Sequence, residues 1–276
     1  MRRPSIASTS TSCSADEARR GELVMMGSFQ DRVAVVTGAA GGIGAGIVRA
    51  LAAGGAHVVA TDRVDGLADK VAREVGADGP RWAAVSADLA ADDGADRVIG
   101  AAIERFGRLD ILVNNAGGGI IRPFLDHTLE TMRETVDRNL WTSVLCCRAA
   151  LPHMRDAGYG RIVNVGADSV RNGLFEHAMY NAAKGGVHGL TTGLAREFAP
   201  FGITVNTVAP TGTDTPTVLS RPPDAVERYR KTVGLIPLGR FATVEEVASA
   251  VTYLASGAAG FITGQVVSVN GGTAML

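Results

Sequence analysis

A tyrosine and a lysine stand one helical turn apart in this sequence and together could handle a proton. Tyr180 and Lys184 bound the run Tyr-Asn-Ala-Ala-Lys, and residues i and i+4 of a helix lie on the same face. An ammonium group beside a phenol favours the phenolate, so we expect the pKa of Tyr180 to fall below its usual value of about 10. Such a tyrosine can act as general acid or base on an alcohol and ketone pair. The same spacing also fits an ordinary exposed helix face.

The composition is that of a globular chain that can bury a large core. It has 276 residues, of which 46% are hydrophobic and 20% charged, with a formal net charge of −1. No basic block follows the first 20 residues, which argues against nucleic acid or an anionic membrane as a partner. No apolar run reaches the roughly 20 residues that span a bilayer. The sparse cysteines, two of them adjacent, are not a disulfide framework and indicate a reducing, cytoplasmic compartment without a metal site.

Residues 1–27 differ in composition from the rest of the chain. They are rich in serine, threonine and arginine and lack the apolar segment of a secretory signal, and their acidic residues disfavour a transit peptide. We interpret them as a disordered N-terminal extension, or as residues upstream of a true start at Met25 or Met26. The domain itself is predicted to span residues 28–276.

From residue 29 onward, short apolar runs alternate with segments of helical character, with no linker and no internal repeat between them. This pattern predicts a single doubly wound α/β domain of the Rossmann type, with about seven parallel strands and helices on both faces of the sheet. Thr243 and Glu246 predict a capping box at the start of one helix. The predicted strands are Val33–Thr37, His57–Thr61, Trp82–Ser86, Ile111–Asn114, Arg161–Val165, Ile203–Val208 and Val266–Val269.

A glycine cluster joins the first predicted strand to the following helix. Gly38, Gly42 and Gly44 would let the backbone approach a pyrophosphate, and with Ile43 they begin a helix whose free N–H groups face that anion. The spacing is G-x-x-x-G-x-G, not the commoner G-x-G-x-x-G. A glycine cluster alone also fits a plain turn, but a strand before it and a helix after it favour a dinucleotide site.

Polar residues follow the next strands at the same predicted edge of the sheet. Asp62 is placed to accept hydrogen bonds from the adenosine ribose and would repel a 2′-phosphate, which favours NAD over NADP. Arg63 weakens this preference because a guanidinium can bind a phosphate, and Asp62 also fits a simple capping role. Asp88, Leu89 and Asn115 lie where ligands bind in parallel sheets, and we expect them to meet the adenine and the nicotinamide ribose.

Taken together, these residues resemble the short-chain dehydrogenase/reductase family over about residues 30–276. The resemblance implies an NAD-dependent oxidoreductase that interconverts a secondary alcohol and a ketone by hydride transfer to or from the nicotinamide. It rests on Thr37–Gly44, Asp62, Asp88, Asn114–Gly117, Asn139, Tyr180, Lys184, Asn206–Pro210, Gly264, Gln265 and Asn270–Gly272.

The resemblance also implies a role for each residue of the site. Tyr180 would exchange a proton with the substrate oxygen, Lys184 would bind the nicotinamide ribose and lower the Tyr180 pKa, and Asn139 would hold a water of the proton relay. Thr213 and Thr215 would lie along the nicotinamide and its phosphate. The resemblance further implies a homotetramer built on the helices that carry Asn139 and Tyr180.

Two positions depart from the family pattern. The family usually has a serine just past the fifth strand, bonded to the substrate oxygen, and this chain has Ala167. Removing a comparable donor costs about 10²–10³ in rate, so the alternative is a dinucleotide-binding protein with weak or no catalysis. Ser169 could take the role if the loop bulges, and Asp168 could instead bind a hydroxyl-rich substrate. Thr211 follows Pro210 where the family usually has glycine, which predicts a local difference in the cofactor loop.

The sequence gives weaker indications about the substrate. The stretch 214–240 is long and rich in proline and arginine, and we expect a lid that orders on binding, with a short helix at about 223–233. Arg171 or Arg221 would suit a carboxylate or an acyl thioester, although solvated surface arginines fit as well. His177 could face the pocket or be a bystander. Hydroxyacyl or 3-oxoacyl thioesters and cyclic dihydrodiols, including their carboxylates, are the two substrate classes considered.

Overall fold

Seven strands form one sheet in the computed structural model, which describes residues 29–74, 79–219 and 223–275. The strands are β1 (Val33–Thr37), β2 (His57–Asp62), β3 (Trp82–Ser86), β4 (Ile111–Asn114), β5 (Gly160–Val165), β6 (Ile203–Pro210) and β7 (Val266–Val269). All pairs are parallel, in the order β3-β2-β1-β4-β5-β6-β7. The predicted doubly wound sheet is confirmed, and β2, β5 and β6 each extend slightly beyond their predicted ends. The predicted N-terminal extension lies outside the described residues.

Helices cover both faces of this sheet. They are α1 (Gly42–Ala53), α2 (Leu67–Glu74), α3 (Gly94–Phe106), α4 (Leu129–Val136), α5 (Thr142–Ala157), α6 (Ser169–Asn172), α7 (Ala178–Phe198), α8 (Pro216–Leu219), α9 (Pro223–Lys231) and α10 (Val244–Ala255). The predicted capping box is present, because Thr243 N donates to Glu246 Oε2 and Glu246 N donates to Thr243 Oγ1. None of the helices in the described ranges is both long and apolar enough to cross a membrane.

The central strand β1 divides the core into two layers. Its side chains alternate between the faces of the sheet: Ala34 and Val36 pack with α1 and α10, whereas Val33 and Val35 pack with α3 and α5. All four are at most 1% exposed. A strand that is buried on both faces is apolar throughout, which is why the predicted runs were continuous rather than alternating.

Two adjacent cysteines of α5 lie in the second of these layers. Cys146 and Cys147 are both buried in this layer, at 0% and 1% exposure. Both thiols are free, and burial raises the pKa of Cys146 far above its usual value and that of Cys147 to about 12. They serve as small apolar fillers.

A ladder of buried polar side chains attaches α7 to the sheet. Asn114 Nδ2 donates to Asn164 Oδ1 at 2.8 Å, and Asn164 Nδ2 donates to Thr191 Oγ1 at 2.9 Å. Thr191 Oγ1 lies 2.7 Å from Thr207 Oγ1. The ladder therefore connects β4, β5 and β6 to the helix that carries Tyr180.

Candidate active site

The glycine turn after β1 is closed by contacts that exclude larger side chains. Gly38 has φ 59°, and a Cβ on Gly44 would lie 2.0 Å from the carbonyl oxygen of Gly38. Asn115 Nδ2 donates to the carbonyl oxygens of Thr37 and Gly38, at 3.0 and 2.9 Å. The Asn115 amide thus holds the turn that presents the N-terminus of α1, where Gly42, Ile43 and Gly44 begin the helix.

The loop after β6 reaches back to this turn. A Cβ on Gly42 would lie 2.7 Å from Thr215 Cγ2, so Thr215 covers the start of α1. Thr213 is 5% exposed, its Oγ1 donates to the carbonyl oxygen of Thr211, and the residue pairs with Ala242 through an isolated parallel bridge. The structure therefore brings Thr215 to the cofactor end and uses the Thr213 side chain within its own loop.

A cavity of about 600 Å³ opens beside the glycine turn. Asp62 lines it, with its carboxylate accepting weak hydrogen bonds from the N–H groups of Ala40 and Val64, at 3.4 and 3.3 Å. The carboxylate of Asp88 accepts from Ala90 N at 3.0 Å. The cavity joins four predicted cofactor residues, Gly38, Asp62, Asp88 and Leu89, to Arg63, Ala87, Ala90, Ala116, Gly117, Glu130, Arg133, Glu134, Asp137, Arg138 and Thr142.

One wall of this cavity was missed by the sequence analysis. It consists of charged residues of α4 and of the turn after it, among them Glu134 and Arg138, which form an ion pair. Burial lowers the pKa of Arg138, and the nearby charge of Arg63 lowers it further. No motif marks these positions, because they reach the cavity only through the packing of α4 across the end of the sheet.

The predicted catalytic residues meet around one glycine-rich loop. A Cβ on Gly117 would lie 2.7 Å from Asn139 Oδ1 and 3.4 Å from Lys184 Nζ, and a Cβ on Gly119 would lie 3.5 Å from Tyr180 Cδ2. The loop that follows β4 therefore touches all three side chains. The structure therefore brings the three predicted catalytic residues together, namely Tyr180, Lys184 and Asn139.

Asn139 is held at a widened helical turn. The π-helical turn Asp137–Trp141 joins α4 to α5, a feature often found at functional sites. Asn139 is fully buried. Its Nδ2 donates to the carbonyl oxygens of Thr135 and Gly118, and its Oδ1 accepts from Gly118 N at 3.0 Å. The amide is therefore fixed in orientation against the Gly117–Gly119 loop.

Burial controls the charge of the two titratable catalytic candidates. Lys184 is 4% exposed and its Nζ donates to the carbonyl oxygen of Val165 at 2.8 Å. Burial lowers the pKa of Lys184 to about 8 and raises the pKa of Tyr180 to about 12. The expected fall in the Tyr180 pKa is wrong for the protein alone, because desolvation disfavours the phenolate and the ammonium alike.

The loop after β5 is tied inward. Ser169 Oγ donates to Asn181 Oδ1 at 2.6 Å, and Asp168, which is fully buried, accepts from Ser268 Oγ at 2.9 Å. Arg171 donates to Ser268 Oγ and to the carbonyl oxygen of Val266. Within the described residues, Ser169, Asp168 and Arg171 are therefore engaged with the protein itself, contrary to the substrate roles considered for them. Arg221 lies outside the described residues.

His177 stands directly before α7, next to the tyrosine. Its ring centroid lies 5.9 Å from that of Tyr180 with an interplanar angle of 78°, an edge contact. The site thus combines a phenol, a buried amine, a fixed amide and a glycine turn at the carboxyl ends of parallel strands. This arrangement is that of a dinucleotide-dependent oxidoreductase.

Comparison with known proteins agrees with this class. A family model described as enoyl-(acyl carrier protein) reductase matches residues 38–274. The 2,3-dihydroxy-2,3-dihydro-p-cumate dehydrogenase of Pseudomonas putida is 54% identical over 252 residues, which cover 90% of this chain and 96% of that protein. The cis-4-hydroxycyclohexanecarboxylate dehydrogenase of Sinomonas cyclohexanicum is 42% identical, covering 89% and 97%.

A solved structure has the same fold over nearly its whole length. The short-chain dehydrogenase/reductase of Brucella melitensis, described as a glucose/ribitol dehydrogenase, superposes with a TM-score of 0.83 at 34% identity and covers 91% of this chain and 99% of that one. The protein belongs to the short-chain dehydrogenase/reductase family. It is an oxidoreductase that acts on CH–OH groups and uses a nicotinamide dinucleotide.

Proposed function

We propose that the protein is an NAD-dependent dehydrogenase that oxidises a ring hydroxyl of a six-membered carbocyclic carboxylate, with a dihydrodiol carboxylate as its preferred substrate. The observation that carries this proposal is the 54% identity to a dehydrogenase of dihydroxydihydro-p-cumate over 90% of the chain. The relative that acts on cis-4-hydroxycyclohexanecarboxylate supports it, since the two named compounds share a six-membered ring with a hydroxyl and a carboxylate.

The preference for NAD follows from the charge at the end of β2. Asp62 lines the cavity next to Gly38, and its carboxylate would repel a 2′-phosphate and accept hydrogen bonds from ribose hydroxyls. Arg63 lines the same cavity and offers a positive charge to a phosphate, but Asp62 stands at the strand end, where the ribose is expected. Gly38, Gly42, Asp62 and Lys184 would hold the cofactor, which supplies the hydride acceptor.

Tyr180 carries the proton chemistry of this proposal. As phenolate, its oxygen would take the proton of the substrate hydroxyl and leave a ring C=O at the carbinol carbon. A bound nicotinamide would supply the acceptor for the hydride of the carbinol C–H bond. The Lys184 ammonium stabilises the phenolate, and Asn139 holds the water through which the proton leaves for solvent. In a cyclohexadiene diol, loss of these two hydrogens leaves a ketone that tautomerises to an aromatic diol.

A substrate carboxylate needs a cation that is not already engaged. Arg171 is bonded to β7, so the carboxylate partner must be another residue. Arg122 follows Gly119 by three residues, which is roughly 10 Å of chain at full extension, and Gly119 lies against the Tyr180 ring. Arg122 is half-buried and makes no hydrogen bond or ion pair within the described parts of the chain. We assign the carboxylate to Arg122.

Substrate and cofactor are tested together in one spectrophotometric experiment. Purified protein is given cis-4-hydroxycyclohexanecarboxylate, the dihydrodiol of p-cumate or a 3-hydroxyacyl thioester, each with NAD and with NADP, and reduction of the nicotinamide is followed by absorbance. We expect turnover of the ring carboxylates with NAD at least about tenfold above NADP. Turnover of the thioester alone would contradict the proposed substrate class, and a preference for NADP would contradict the role of Asp62.

We also propose that the protein is a cytoplasmic homotetramer built on α4, α5 and α7. One observation supports the interface. Gly189 and Gly193 of α7 are exposed, and a Cβ added at either would meet nothing within 4 Å among the described residues. Glycines inside a helix cost about 1 kcal/mol each relative to alanine. A helix from another subunit that packs closely on this face would offset that cost.

A further inference from the structure

We propose that His177 binds a second hydroxyl of the substrate and makes the enzyme select a vicinal ring diol over a single ring alcohol. This inference rests on the proposed function and adds to it the group that distinguishes the two kinds of substrate. It is carried by the position of the His177 ring, by the bond that fixes its tautomer, and by the engagement of the other polar groups of the same loop.

His177 lies against the group that exchanges the proton. It caps the N-terminus of α7, three residues before Tyr180, so the two side chains stand on one face of the helix. Their rings are in edge contact at 5.9 Å. The backbone is fixed at both sides, since His177 N donates to Leu174 O and Asn181 N donates to His177 O at 2.7 Å. A substrate carbon held beside Tyr180 has its ring neighbour within reach of His177.

One hydrogen bond settles which ring nitrogen of His177 is available. His177 Nδ1 lies 2.6 Å from the carbonyl oxygen of Phe175. A carbonyl only accepts, so Nδ1 carries the proton, and in the neutral ring Nε2 is an acceptor. Nε2 makes no hydrogen bond to any described residue.

An acceptor nitrogen at this place favours a particular substrate chemistry. The reacting hydroxyl gives its proton to Tyr180 and becomes a carbonyl, so it offers Nε2 no donor at the end of the reaction. A hydroxyl on the neighbouring ring carbon keeps its proton throughout and can donate to Nε2 in substrate and product alike. His177 therefore suits a vicinal diol.

The other polar residues of the loop after β5 are not available for this role. Position 167 is alanine, and the Ser169 hydroxyl donates to Asn181 Oδ1. Asp168 is fully buried and is bonded to Ser268. Within the part of the chain that the structure describes, the ring nitrogen Nε2 of His177 is an unengaged polar group next to Tyr180.

The backbone before His177 has an unusual conformation that agrees with a functional position. Glu176 has φ 64°, in the left-handed region that non-glycine residues rarely adopt. Such strained residues cluster at ligand-binding and catalytic sites, where the surrounding structure holds them. Here the strained residue directly precedes the side chain assigned to the substrate.

The test compares two substrates that differ by one hydroxyl. Initial rates with NAD are measured for cis-3,4-dihydroxycyclohexanecarboxylate and cis-4-hydroxycyclohexanecarboxylate, with wild type and with His177→Phe, which keeps a ring against Tyr180 but removes the nitrogens. We expect wild type to prefer the diol, and His177→Phe to lower kcat/KM for the diol about 10- to 100-fold while leaving the single alcohol nearly unchanged. His177→Gln, which keeps an acceptor, should retain more of the preference, and the exposed-residue control His153→Gln should retain all of it.

Each contrary result has a distinct meaning. If His177→Phe lowers kcat/KM equally for both substrates, the inference is overturned, because the histidine would then act only by positioning Tyr180. A wild type that oxidises both alcohols without preferring the diol would also overturn it. That result would remove the preference for a dihydrodiol from the proposed function but would leave the oxidation of ring hydroxyls standing. A wild type that oxidises neither compound contradicts the proposed function, and this inference falls with it.

Discussion

Lys184 shows that the requirements of chemistry and of stability oppose each other at a single residue. Its amine is buried beside the carbonyl oxygen of Val165, and its pKa is lowered to about 8. Burial also raises the pKa of Tyr180, to about 12, and so disfavours its phenolate. The sequence predicted the pair from its spacing alone. The predicted fall in the Tyr180 pKa was wrong, because burial depends on the loop after β4, which lies against both residues.

Tyr180→Phe is expected to remove turnover while leaving cofactor binding nearly intact. The substitution deletes only the oxygen that accepts the substrate proton and keeps the ring that lies against Gly119 and His177. We expect kcat to fall at least about 10³-fold. The measurements are NADH production at saturating substrate and NADH affinity by fluorescence. A Phe variant that keeps wild-type kcat would remove Tyr180 from the mechanism.

Lys184→Met is expected to make the protein more stable at neutral pH although less active. A lowered folded-state pKa means that the unfolded chain binds more protons between pH 8 and the usual lysine pKa of 10.5, so the free energy of unfolding rises with pH across that window. At pH 7 the buried charge costs stability, and replacing it should add on the order of 1 kcal/mol. Urea unfolding at pH 7 and pH 10 should show the advantage of the variant shrinking at the higher pH. An advantage that grows with pH would contradict this reading.

At the scale of the element, features that depend on residues close in sequence could be predicted, whereas features that depend on packing could not. The capping box of Thr243 and Glu246 is visible in the sequence because its residues bond to each other, and the structure has it. The π-helical turn Asp137–Trp141 is not visible in the sequence. Its extra residue is accommodated by the contacts of Asn139 with the loop after β4. The lid predicted for residues 214–240 contains the predicted short helix as α9, Pro223–Lys231.

The polar ladder under α7 should be worth measurable stability. Thr191→Val keeps the shape of the side chain but removes the hydroxyl that joins Asn164 to Thr207. Because the partners remain buried, the free energy of unfolding should fall by about 1–3 kcal/mol. Thr192→Val is the matched control, since the exposed Thr192 bonds only to Gly189 O within its own helix. Chemical denaturation of the two variants should differ clearly, and equal stabilities would show that the ladder contributes little.

At the scale of the whole molecule, the seven parallel strands and the helices on both faces of the sheet were predictable because they depend on the repeated alternation of apolar runs and helical segments. The cofactor side of the site followed from motifs at strand ends. The charged wall formed by α4 and the inward ties of Arg171 and Asp168 were not predictable, because they depend on distances between segments far apart in sequence. His177, three residues before Tyr180, could be named as a candidate for the pocket from the sequence alone.

The proposed tetramer predicts a sharp effect at one exposed glycine. Gly193→Arg places a large charged side chain on the open face of α7 and should convert the tetramer to smaller species without changing the fold. Gly193→Ala adds one methyl group to the same face, so it should weaken the assembly less than Gly193→Arg while stabilising the helix by up to about 1 kcal/mol. Size-exclusion chromatography with light scattering and circular dichroism distinguish these outcomes. If the Gly193→Arg protein keeps the mass of a tetramer, the face of α7 that carries Gly193 is not the interface.

Two thiols are packed between β4, β5 and the helices that cover these strands. They can report when this layer of the molecule opens. Only a thiolate is readily alkylated, and Cys146 and Cys147 are sealed from reagents and held in the protonated form as long as that layer stays closed. Their modification therefore requires the layer to separate, and its rate records how often α5 detaches from the sheet. Any ligand that binds only the closed form will therefore lower the rate at which these two cysteines are modified, whatever the chemistry of the ligand.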